Sequence, residues 1–419
     1  MTTIQPINYP VLKALLENLS IDKRDEIAYH CPGVRNSNRT VPHRIEKVFF
    51  DRVTFRINDR EWVFKTHQEC VSGQPDSSDS EEEDQDQWNE DPVESRENVV
   101  YPGDVVIADA PLRTNELWIA RPPEPPAVLD EPVALPPLTV VNFLRRLTQP
   151  PPRPEPVYTY QVEVHYKSNL GAFVKLLPVG IKKRDVMKKL INEYLGGKAV
   201  YHVKSLAVHQ QNGIVRLPER LKMEIEELSL RLNGNEILKS FAPVLERSSL
   251  PLDRMSIFLH DARDPMLQTE WLRTSKMLII EKPGTSLAHP SLLPAILELT
   301  NTHIHLNFRN FTENDTISVI QSFLTAHRPI GSVITLVVDD CQQFLVTNLE
   351  LMKQLFGAIP STLDFEGNCP CATISMYDGA ELNIFGKSSV QKSRSRLMDL
   401  WIEVMPEGSS VPRNLTNEV

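Results

Sequence analysis

The sequence is short of glycine and cysteine, has no long apolar run, and carries no charge imbalance outside one stretch. Sixteen Gly stand against 33 Pro. So little glycine argues against a protein built on Gly-rich phosphate-cradling loops, and so much proline argues for rigid extended connectors between folded pieces. Five Cys in 419 residues (Cys31, Cys70, Cys341, Cys369 and Cys371) are too few and too scattered for a disulfide framework, and they fit a reducing compartment. The longest apolar runs, such as residues 333–338, are too short to span a bilayer. Residues 1–20 lack the basic start and continuous apolar core of a signal peptide. A cytoplasmic or nuclear protein is therefore expected.

The net charge of -10 is concentrated in residues 76–97, which hold eleven acidic residues against Arg96 alone. The remainder sums to zero, so the folded parts carry no broad positive field, and neither nucleic acid nor an anionic membrane is expected as a partner. Catalytic signatures are missing as well. There is no Gly-x-Ser-x-Gly elbow, and Gly386-Lys387-Ser388 lacks the first glycine of a phosphate loop. Cys369-Pro370-Cys371 has no second Cys or His pair at zinc spacing, and His303 and His305 have no carboxylate at a defined spacing. No enzyme, cofactor or metal is expected.

The residues that are present read as a succession of short elements. Pro10 followed by Val11, Leu12, Leu15, Leu16 and Leu19 sets out an amphipathic helix, and Ser20 caps a second one closed by Pro32-Gly33. Ile45, Val48, Phe50, Val53, Phe55, Ile57, Trp62 and Phe64 read as strands with a turn at Asn58-Asp59. Residues 74–98 have too few apolar side chains to offset the cost of ordering, and there Ser78 and Ser80, each with Glu three residues on, suit acidophilic kinases. Residues 122–156 hold twelve Pro and read as a semi-rigid spacer.

The second half carries a recurring pattern in which one residue is followed at +3 and +5 by two apolar ones. It occurs at Val203/Leu206/Val208, Ile225/Leu228/Leu230, Leu252/Met255/Ile257, Ser275/Leu278/Ile280, Asn301/Ile304/Leu306 and Gly331/Ile334/Leu336. Its spacing of 22 to 30 residues compares with about 20–29 for leucine-rich repeats. Helical patterns fill the gaps, and Thr312 with Asp315 forms a capping box. The expected fold class is therefore α/β, with a short N-terminal helical module, a small β-rich middle region and an irregular leucine-rich-repeat-like horseshoe in the C-terminal half. The boundaries are a helical module over 1–40, a β element over 41–70, an acidic disordered insert over 71–98 and a β element over 99–121. A Pro-rich linker over 122–156, a β-hairpin plus helix over 157–199, the repeat domain over 200–409 and a tail over 410–419 complete it.

Tyr9-Pro10, the Leu12/Leu15/Leu16/Leu19 helix, Lys23-Arg24 and Ile27-Ala28 running into Cys31-Pro32 resemble the start of a large nematode-expanded family of uncharacterised F-box-like proteins. The segments 194–197, 215–218 and 249–252 are similar to that family's second half. The resemblance implies that Pro10, Leu12, Leu15, Leu16 and Leu19 dock the Skp1 adaptor of a cullin ubiquitin ligase while the repeats hold a target. It thus implies a substrate-recognition adaptor, and the alternative is a protein-binding scaffold with no ligase role. Because strand side chains alternate, the residues beside each apolar pair face outward together. The candidate target-binding surface is accordingly Arg231, Arg254, Phe258, His303, His305 and Asn307, with Phe258 and Arg231 as anchors.

Overall fold

A computed structural model describes residues 9–17, 19, 21–34, 43–70, 99–107, 158–169, 171–196, 200–210, 212–259, 261–281, 292–308, 311–338, 341–364, 369–388 and 398–412. The acidic and Pro-rich segments expected at 74–98 and 122–156, with Ser78 and Ser80, lie outside the described residues.

Two short helices, α1 (Tyr9–Glu17) and α2 (Ile21–His30), come first, and α2 lies against the strand that follows. That strand, β1 (His43–Phe50), turns back through β2 (Thr54–Ile57) and β3 (Arg60–Cys70). The turn at Asn58 has φ 54°, which asparagine tolerates better than most residues. Asn58 Oδ1 also accepts hydrogen bonds from the amides of Glu46 at 2.9 Å and Lys47 at 3.2 Å. Next come β4 (Val105–Ile107), the hairpin of β5 (Tyr158–Ser168) and β6 (Gly171–Leu176), and α3 (Lys183–Leu195). Cys70 at the end of β3 sits opposite Tyr158 at the start of β5.

The strands β7 (Tyr201–Val208), β8 (Gly213–Val215) and β9 (Met223–Leu230) are followed by alternating helices and strands. These are α4 (Gly234–Phe241), β10 (Arg254–Phe258), α5 (Glu270–Thr274), β11 (Met277–Glu281), α6 (Leu292–Leu297), β12 (His303–Asn307), α7 (Glu313–Thr325), β13 (Val333–Val338) and α8 (Cys341–Phe356). Five strands close the sequence of elements: β14 (Ile359–Leu363), β15 (Cys369–Ser375), β16 (Ala380–Ser388), β17 (Met398–Pro406) and β18 (Ser410–Pro412).

All of these strands except β4 and β8 join one sixteen-stranded sheet, in the order β18-β14-β15-β16-β17-β13-β12-β11-β10-β9-β7-β1-β2-β3-β5-β6. Its centre, from β1 through β7 and β9 to β13, is parallel, and both flanks are antiparallel. This overturns the expected class. Among the described residues there is no free-standing helical module, no separate β-rich middle region and no leucine-rich horseshoe, but one large mixed sheet and the small β4–β8 pair. Periodicity locates strands but cannot name their partners, so β1, which pairs in parallel with β7 along its length, read as part of a separate piece. Likewise β13 is followed in space by antiparallel β17 rather than by a further repeat. Leu16 of α1 and Arg24 of α2 are each 1% exposed, as interior residues rather than the surface of a docking module.

One row of buried side chains crosses this sheet in register: Ile57, Val48, Leu206, Leu228, Met255, Leu278, Ile304, Ile334, Ile402, Ile384 and Ala372. The helices cover it through Ile237, Phe241, Leu272, Ile296, Val319 and Phe323, all in the same core. Burying a Leu or Ile of this kind contributes roughly 1.5–3 kcal/mol. The first positions of two copies of the sequence pattern are buried and polar. Ser275 Oγ donates to Leu272 C=O at 2.9 Å, and Asn301 Nδ2 donates to Leu272 C=O and Ser275 C=O, both at 2.7 Å. They satisfy the carbonyls left by the end of α5, which a buried apolar residue would leave bare. The capping box also forms: Thr312 Oγ1 accepts from Asp315 N–H at 3.2 Å, and Asp315 Oδ2 accepts from Thr312 N–H at 2.9 Å.

Residues 99–107 are fastened by a buried carboxylate. The Asp104 side chain, 0% exposed, pairs with Lys188 Nζ at 2.8 Å and one Arg216 guanidinium nitrogen at 2.6 Å. It also accepts from the backbone amides of Tyr101 at 2.9 Å and Leu217 at 3.3 Å. Gly103 has φ 87°, and a Cβ there would lie 2.5 Å from the backbone of Pro218 and Glu219, so only glycine lets the turn come this close. Asp104→Ala leaves two cations buried without their partner. It is expected to lower the unfolding free energy by about 3–5 kcal/mol, seen as a lower denaturant midpoint. A loss below about 1 kcal/mol would mean that the cations are neutralised some other way.

Candidate interaction face

The second face of the sheet is set by the same alternation that builds the core. In β10, β11 and β12 the buried residues Met255, Ile257, Leu278, Ile280, Ile304 and Leu306 alternate with partly or fully exposed ones. The structure places Arg254 and Phe258 on β10, His303, His305 and Asn307 on β12, and Arg231 directly after β9, so the six candidate residues occupy one face. Cross-strand register sets Arg254 beside Glu227 and Met277, and Met277 beside His303; Phe258 lies beside Glu281, and Glu281 beside Asn307. Between these two rows runs a third, through Ser229, Ser256, Ile279, His305, Thr335 and Trp401.

The half-buried charges of this face show the cost of partial desolvation. Burial pushes the Glu281 carboxyl up, against the pull of Arg231 and a hydrogen bond from Ser256. It likewise raises Asp399 and Glu403, while His305 and Lys387 respectively pull them back. Burial, with His305 and Arg254 nearby, lowers His303 to about 4, and His305 is lowered chiefly by burial too. Both imidazoles are therefore neutral at neutral pH and can accept as well as donate. His303 Nε2 lies 2.8 Å from Thr335 Oγ1, which is buried on the same face.

Sequence reasoning missed the aromatic end of the face. On β17, Trp401 stands beside Thr335 with its ring 5.4 Å from His303 and 6.1 Å from Phe385. Lys387 Nζ sits 4.3 Å from the Trp401 ring centroid, a cation–π contact. The Trp401 indole N–H is buried and has no hydrogen-bond partner among the described residues. The signal was available in β17, where Leu400, Ile402 and Val404 alternate with Asp399, Trp401 and Glu403: a tryptophan in the polar phase of a strand.

Beside the aromatics, in the same cross-strand row, Cys371 is buried with Phe385 and Leu363, and its thiol is pushed up to about 11 by burial, so it is not a poised nucleophile. Among the described residues, no group of three or more His, Cys, Asp or Glu could hold a metal ion. The residues expected to dock an adaptor divide between surface and interior. Leu16 is buried, Leu12 and Leu19 are half-buried, and Pro10 and Leu15 are exposed. Val11, one turn before Leu15, is exposed as well.

A model of a family described as a domain of unknown function, DUF3557, matches residues 182–340. That span runs from the start of α3 through β13, so it holds all six candidate residues but not Trp401 or Lys387. No curated protein and no solved structure matches the chain.

The depressed imidazoles give a pH dependence of definite sign. An exposed His ionises near 6.5 while His303 in the fold resists protonation until about 4, so between these values the unfolded chain binds the extra proton. Stability should therefore fall as pH drops from 6.5 toward 5, with His305 and His209 acting in the same direction. The raised carboxylates act oppositely, losing stability as pH rises through the carboxylate range. The denaturant midpoint should thus be lower at pH 5 than at pH 7, by less in His303→Gln than in the parent. Equal pH dependence in both chains would place the His303 imidazole in water.

Proposed function

We propose that this chain is a non-enzymatic protein-interaction protein that holds a protein target on the open face of its central sheet. The observation that carries the reading is the placement of Arg231, Arg254, Phe258, His305 and Trp401 on one partly exposed face opposite the helix-covered core. Arg and aromatic side chains dominate protein interfaces, and a face of mixed charge suits a protein better than a polyanion. The working place proposed is the cytoplasm or nucleus. Among the described residues no helix is long and apolar enough to cross a membrane.

A second reading adds the ubiquitin ligase. The exposed pair Val11 and Leu15, one turn apart on α1, favours docking of an adaptor such as Skp1, which would make the chain a substrate-recognition subunit of a cullin ligase. Without that contact it is a scaffold.

Quantitative affinity capture separates these readings. Arg231→Ala with Phe258→Ala and His305→Ala should leave the thermal midpoint nearly unchanged and weaken target capture, each anchor contributing about 2 kcal/mol. Val11→Asp with Leu15→Asp should abolish Skp1 capture and spare the target. A partner set indifferent to the first variant removes the open face from the function. Skp1 capture indifferent to the second, or absent from the parent, removes the ligase reading alone.

A further inference from the structure

The sheet has two edges, and they are built differently. The β18 edge is three residues long and ends on Pro412, the short and proline-blunted form that discourages strand addition. The β6 edge is longer, and every residue of it is exposed: Phe173 54%, Val174 58% and Leu176 52%. An aromatic ladder leads out to it. Phe50 lies 5.6 Å from Phe55, Phe55 5.5 Å from Trp62, Trp62 5.3 Å from Tyr166 and Tyr166 4.9 Å from Phe173. Burial declines along it, from Phe50, Phe55 and Trp62 in the core through half-buried Tyr166 to exposed Phe173.

The hydrogen-bonding side of β6 follows from its register. Ser168 lies opposite Gly171, and Leu177 N–H donates to Val162 C=O at 2.8 Å just past the strand. Bonded and non-bonded pairs alternate in an antiparallel ladder, so Gly171, Phe173 and Lys175 bond inward to β5. Ala172, Val174 and Leu176 turn their N–H and C=O groups to the open edge.

We propose that β6 is a homodimerisation edge, at which a second copy of this chain adds its own β6 antiparallel about a twofold axis through Val174. The outward set of Ala172, Val174 and Leu176 is symmetric about its middle member, as a twofold interface requires. Val174 meets the partner's Val174, and Ala172 meets the partner's Leu176, so every outward donor and acceptor of the three residues is used. A shift by two residues leaves some of them bare. In this register Phe173 faces the partner's Lys175 and Lys175 faces the partner's Phe173. The aromatic ladder therefore ends on a cation–π pair on each side of the axis, and no like charges are opposed.

The test uses the full chain. Sedimentation velocity should give a dimer for the parent and a folded monomer for Val174→Pro, because proline is tolerated where a strand N–H faces away from the sheet. Val174→Cys should give a covalent dimer when treated with an added oxidant. Residues paired across the axis have Cα atoms about 5.5 Å apart, within disulfide reach of roughly 4.4–6.8 Å. Ala172→Cys, which faces the partner's Leu176, should give none beyond the parent's background. A monomeric parent overturns the proposal, whatever other strand binds that edge. A dimer that survives Val174→Pro also overturns it, as does cross-linking equal in the two cysteine variants.

Discussion

The architecture depends on keeping a single side-chain phase across strands that run in both directions. From Ile57 on β2 to Ala372 on β15, each strand offers an apolar residue at the same height and on the same face. A strand that slipped by one residue would turn its buried set to the open face and bury charges such as Arg254 or Glu281. The parallel centre enforces the phase through its helices, each of which packs on the apolar side. The antiparallel flanks inherit it from β1 and β13, whose neighbours on the two sides run in opposite directions.

This constraint also explains the chemistry of the open face. Residues at alternate positions of adjacent strands are held side by side, so His303, Arg254, Glu281, Asp399 and Glu403 shield one another from water without being enclosed. The protonation equilibria of His303, Glu281, Asp399 and Glu403 shift for that reason, downward for the base and upward for the acids, and the face stays polar while giving up part of its hydration. Such groups lose less on meeting a partner than fully hydrated ones do, since part of the desolvation has been imposed by folding.

Much of this was legible in the sequence where the information is local. The +3 and +5 apolar residues fall inside the core strands, Asn58 makes the turn, Thr312 and Asp315 cap α7, and the phase of β10 and β12 assigns Arg254, Phe258, His303, His305 and Asn307 to one face. Long-range pairing was not legible. The alternation of β1 is compatible with a separate β element or with a parallel seat beside β7, and nothing within Ile45 to Phe50 distinguishes the two. The surroundings of Trp401 were not legible for the same reason, because its neighbours Thr335 and His303 come from strands far away in sequence. Asp104 and Arg24 look like ordinary surface charges until the partners that bury them are known.

The pairing of Cys70 with Tyr158 implies a division of labour along the chain. The residues described between them, 99–107, stay out of the large sheet, and Asp104 pins them to α3 and to the end of β8. Residues 71–98 and 108–157 lie outside every described strand, so a change in their number leaves the register of those strands as it is, whereas an insertion within any one of β9 to β13 turns the residues beyond it in that strand to the wrong face. The chain thus has one region where length is free to drift and another where it is fixed to the residue.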